Sequence, residues 1–108
     1  MSLEDQLEEE AHKLVDTALE NIPHDYLVMG TGPNVKSIWD FVYGYEYGCI
    51  VTGLADYYRF KLLGGRDIPV EEVKYMTNRI QNIVRDRLSE VRQAITRVET
   101  NLRDGQAA

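Results

Sequence analysis

The stretch GYEYGCIVTG, residues 44–53, sets three glycines and two tyrosines in ten positions. It is either a close helix contact, a ligand slot, or no helix at all. The flanking sequence decides for helix. Asn34 or Ser37 can cap its start, and Gly64-Gly65 supplies the left-handed stop that helix ends favour. Between them Trp39, Ile50, Val51, Leu54, Tyr57 and Phe60 spread over most of the circumference, as in a helix buried on several sides. At about 100° per residue, Gly44, Gly48 and Ala55 fall on one narrow stripe flanked by Val51 and Leu62. Small residues on one stripe let a second helix approach closely. Each glycine costs up to about 1 kcal/mol relative to alanine, and a packing role accounts for that cost. Gly53 falls on the opposite side and has no role in this reading.

Working outward, a first helix opens at Ser2 with acids in its first turn, where the helix dipole favours them. Leu3, Leu7, Ala11, Leu14, Val15, Ala18 and Ile22 make one apolar face, and Pro23 is the expected stop. A connector, PHDYLVMGTGPN, carries turn residues at Gly30, Gly32 and Pro33; its GTGP lacks the spacing and the lysine of a phosphate loop. The third helix opens at Asp67 with Pro69 in its first turn and ends before Gly105. Its apolar positions Val84, Leu88, Val91, Ile95, Val98 and Leu102 alternate steps of four and three, a heptad seam over nearly three repeats. The expectation is an all-α chain with helices at about 2–22, 35–63 and 68–103 in one domain spanning 1–108, frayed at 1–3 and 104–108.

A third helix of about 35 residues is roughly 50 Å long and overhangs a first helix of about 20. The middle helix also has more apolar surface than two neighbours readily cover. Both points favour a helical bundle completed by homodimerisation, through either the Gly44–Gly48–Ala55 stripe or the Val84–Leu102 seam.

The net charge of −6 is unevenly spread. Residues 1–30 hold eight acids and one base, whereas residues 70–108 hold seven bases, six of them arginine, and six acids. Attraction between these segments is expected, and the global sign disfavours nucleic-acid partners. No apolar run is long enough for a membrane span, and the acidic N-terminus is no secretory signal, so a cytoplasmic location is the default. The single cysteine, Cys49, lies among apolar residues and reads as a buried structural thiol.

For chemistry, Glu9 and His12 have the Glu-x-x-His spacing of di-metal bundles, but on a helical wheel they point away from the apolar face. No cofactor or metal is expected. Glu46 is a lone acid in a greasy helix, read as hydrogen-bonded to a tyrosine or paired with an arginine, or alternatively as a ligand-facing acid. Trp39, Tyr43 and Tyr47 form an i, i+4, i+8 ladder that serves as core or holds a flat ligand. Lys74, Arg85, Arg92 and Arg103 line one flank of the last helix. The favoured function is a non-enzymatic, homo-oligomeric interaction or assembly module, dimeric, with a protein partner as a further possibility. The first alternative is a small ligand- or metal-binding bundle or enzyme centred on Glu46 and the tyrosines; the second is nucleic-acid binding through the arginine flank.

Overall fold

The computed structural model describes residues 2–30, 35–65 and 69–105, with the side chains of Leu3 and Leu62 excepted. The Ser2 hydroxyl accepts the Asp5 N–H at 3.1 Å and opens α1, Leu3–Gly30. Pro23 does not stop this helix; it lies inside it. An interior proline costs about 3 kcal/mol. Burial beyond it offsets that cost, because Tyr26 enters the core and Met29 packs against it.

The Ser37 hydroxyl accepts the Asp40 N–H at 3.1 Å and caps α2, Ile38–Asp56. The alternative cap, Asn34, lies outside the described residues, as do Gly32, Pro33 and Asp67. The helix then widens into a π-helical segment, Tyr57–Leu62, where the Leu63 N–H reaches the Tyr58 carbonyl at 3.1 Å. Gly64 and Gly65 take positive φ, 70° and 79°, and end it.

The expected third helix is two: α3, Val70–Arg85, and α4, Leu88–Arg103, separated by a turn at Asp86-Arg87. Neither glycine nor proline causes the break. Arg87 turns back to α1, bonding Asp16 at 2.8 Å and the His12 carbonyl at 3.3 Å, while Glu90 takes it at 2.6 Å. These bonds hold the guanidinium above its ordinary pKa, the Glu90 bond contributing most. Among the described residues there is no strand.

Cross-helix contacts fix the topology. Glu4 meets Arg79, Asp16 meets Arg87 and Tyr26 meets Glu99, so α1 runs parallel to α3 and α4. Trp39 meets Thr96 and Tyr43 meets Arg92, so α2 runs antiparallel to both. The molecule is a three-rod bundle with a bent third rod, 48 Å along its longest axis. Extended past Pro23, α1 has 28 residues and spans roughly 42 Å. The overhang expected of the third helix is therefore largely absorbed within one chain.

Val84, Val91, Ile95 and Val98 are buried in this core, Leu88 is half-buried, and Leu102 is 37% exposed. The acidic first helix does meet arginines, though they are Arg79 and Arg87 rather than the flank read from the sequence. No helix among the described residues is long and apolar enough to cross a membrane.

Candidate functional site

The two sides of α2 carry the chain's unusual chemistry. Its inner side buries Val42, Glu46, Ile50 and Leu54. Glu46 is 2% exposed, and its Oε1 has no hydrogen-bond partner among the described residues. Its other contact is neither a tyrosine nor an arginine: the carboxyl hydrogen-bonds the side chain of Asp25 on α1. Burial first, then that bond and the Asp25 charge, push Glu46 up to about 8. Near neutral pH Glu46 is therefore held as a carboxylic acid, hydrogen-bonded to the Asp25 side chain. His24 Nδ1 approaches Asp25 Oδ1 at 3.4 Å from a side chain that is mostly solvated.

Next to Asp25 on α1, the Tyr26 hydroxyl donates to Glu99 Oε2 at 2.9 Å. Burial, and after it the Glu99 bond and charge, push the phenol up to about 12. Tyr26→Phe should cost about 0.5–1.5 kcal/mol of unfolding free energy in urea denaturation, the net size of a typical intramolecular hydrogen bond, here part-buried. An unchanged midpoint would mean that water replaces the bond without loss.

The aromatic ladder covers the seam between α2 and α4. Trp39 and Tyr43 stack at 5.4 Å between centroids, and Tyr43 and Tyr47 at 6.2 Å. The Trp39 indole donates to Thr96 at 3.0 Å, and Arg92 donates to the Tyr43 hydroxyl at 3.2 Å while lying 5.9 Å above its ring. Trp39 and Tyr43 pack against the core, and Tyr47 is half-buried.

The outer side of α2 is different. Phe41 is 42% and Tyr45 49% exposed, and Gly44, Cys49 and Thr52 are open to solvent, with Gly48 partly so. A Cβ placed on Gly44 or Gly48 would meet nothing within 4 Å. Of the stripe read from the sequence, Gly44 and Gly48 are thus uncovered, while Val51 and Ala55 lean against the core. Cys49, expected to be buried, is exposed, and the Tyr45 hydroxyl bonds its side chain. The close approach within the chain belongs to Gly53 instead: a Cβ there would lie 2.9 Å from Leu14 Cδ2.

Elsewhere the sequence candidates scatter. Glu9 pairs with Lys13 at 3.7 Å and His12 meets Arg87 at 3.2 Å, both on the surface. Among the described residues no group of three or more His, Cys, Asp or Glu side chains is placed to hold a metal ion. On the arginine flank, Arg85 bonds Asn82, Arg92 is engaged by Tyr43, and Arg103 lies 3.9 Å from Asp104. No protein-family model matches the chain, and neither a curated protein nor a solved structure does.

Proposed function

We propose that the chain is a non-enzymatic self-association module that dimerises through the outer face of α2. One observation carries the reading. From Phe41 to Ala55 the only charged residue is Glu46, and it is turned inward. The outer face therefore presents an uncharged strip to water along most of the helix. Such a strip on a soluble chain marks a surface that another surface covers.

A second copy suits the strip because knobs and holes lie side by side on it. Phe41 and Tyr45 project, and Gly44 and Gly48 recede. A two-fold axis near Gly48 brings the two Gly48 backbones together and sets each copy's Phe41 and Tyr45 rings over the other's smaller residues at Thr52 and Ala55, as an isologous contact requires. The buried face of α2 meanwhile fixes the helix rigidly in its own bundle, so little order is lost on association.

Two measurements test this. Light scattering at micromolar concentration should give a dimer, and Gly48→Leu should return it to monomer with unchanged helicity, since the site is open within the chain. Cys49 lies on the same strip, so brief treatment with diamide should join two chains through it. A monomeric wild type, or a dimer that Gly48→Leu leaves intact, would remove this reading.

A further inference from the structure

A second feature lies away from the α2 strip, at the end of the bundle where α1 begins. A cleft of about 370 Å³ opens between the first turns of α1, the π-helical segment and α3. That volume is within the range of small-molecule sites. Its walls are core residues: Leu7, Tyr58 and Met76 are 2%, 5% and 9% exposed. Tyr75, 57% exposed, stands at the rim.

Tyr58 reaches the cleft from the π-helical segment. Such segments are rare and recur at functional sites. Arg79 stands at the mouth, its guanidinium 2.6 Å from Glu4 Oε1. Glu4 is 64% exposed, so the pair is solvated on the acid's side and is readily exchanged. Glu4 thus shows how a carboxylate sits on this arginine.

We propose that the cleft binds a small, flat, apolar carboxylic acid. Its ring enters between the Tyr58 and Tyr75 rings and the Met76 thioether, surfaces that favour aromatic contact. Its carboxylate displaces Glu4 from Arg79, where a planar guanidinium gives paired, charge-assisted bonds. This site is independent of the dimer proposed above.

The test uses 1-naphthoate as probe and 1-naphthamide, its neutral counterpart, followed by calorimetry and amide NMR on the full chain. Naphthoate should bind saturably at one site. Arg79→Gln should weaken naphthoate about tenfold and leave naphthamide unchanged. Glu4→Gln should tighten naphthoate, because it removes the internal competitor. Tyr75→Ala, at the exposed rim, should weaken both probes. Gly48→Leu should change neither, which separates this site from the α2 strip. The proposal fails if no saturable binding is seen at millimolar probe, if Arg79→Gln affects both probes alike, if Glu4→Gln has no effect, or if Gly48→Leu abolishes binding.

Discussion

Raising the pH from 5 to 9 should destabilise the wild-type protein by several kcal/mol more than a Glu46→Gln variant. The cause is the buried carboxyl of Glu46, held at about 8 against an ordinary 4.5. Between those values the folded chain keeps a proton that the unfolded chain releases. Unfolding is then favoured as pH rises, and the loss is complete above the folded value. At about 1.4 kcal/mol per unit the full window amounts to roughly 5 kcal/mol. Glutamine is neutral at every pH, keeps the shape of the side chain, and can hydrogen-bond Asp25 as the protonated acid does. At pH 5 the two proteins should differ little. Urea denaturation at pH 5, 7 and 9 measures the divergence. Parallel stability curves would show that Glu46 ionises without cost and that its burial is relieved by water.

Substitutions at the glycines of α2 should change stability with opposite signs. At Gly53 a Cβ would fall 2.9 Å from one Leu14 methyl and 3.3 Å from the other. Leu14 is half-buried between α1 and α2 and has limited room to withdraw. Gly53→Val should therefore cost about 1–3 kcal/mol, the usual range for overpacking. Gly44→Ala and Gly48→Ala meet nothing. Each should stabilise the folded chain by up to about 1 kcal/mol through helix propensity alone, measured at concentrations where the chain is monomeric. If the α2 strip is a dimer contact, the same two alanines should weaken association while they stabilise the fold. A destabilised Gly48→Ala monomer would contradict the open geometry of the strip.

What could be read from the residues alone was what depends on near neighbours. Ser2 and Ser37 cap helices because their hydroxyls meet an N–H three residues on. Gly64 and Gly65 end one because only glycine takes their φ without strain. The features that escaped depend on distant partners. Pro23 remains helical because Tyr26, beyond it, finds Glu99 on another helix. The turn at Asp86-Arg87 has only the Arg87–Glu90 spacing as a signal, which any solvated helix surface also shows.

The same limit applies to the site. Glu46 stood out as an acid in an apolar helix, but its partner Asp25 lies across the bundle. An all-round apolar helix carries no periodic signal for which side faces in. That is why Cys49 was expected inside and Gly53 had no assigned role. The inner side becomes identifiable only once Leu14 is known to press on Gly53.

The parallel course of α1 and α4 sets a mechanical property. Glu4 sits beside Arg79 at one end of the bundle and Tyr26 beside Glu99 near the other. The first and last described helices therefore emerge at opposite poles of a body 48 Å long. A tension applied across those poles draws the rods past one another lengthwise, so many side-chain contacts resist together. A hairpin with both ends at one pole would instead peel open a turn at a time. Built this way, the bundle resists extension along its 48 Å axis by shear between rods rather than by unzipping.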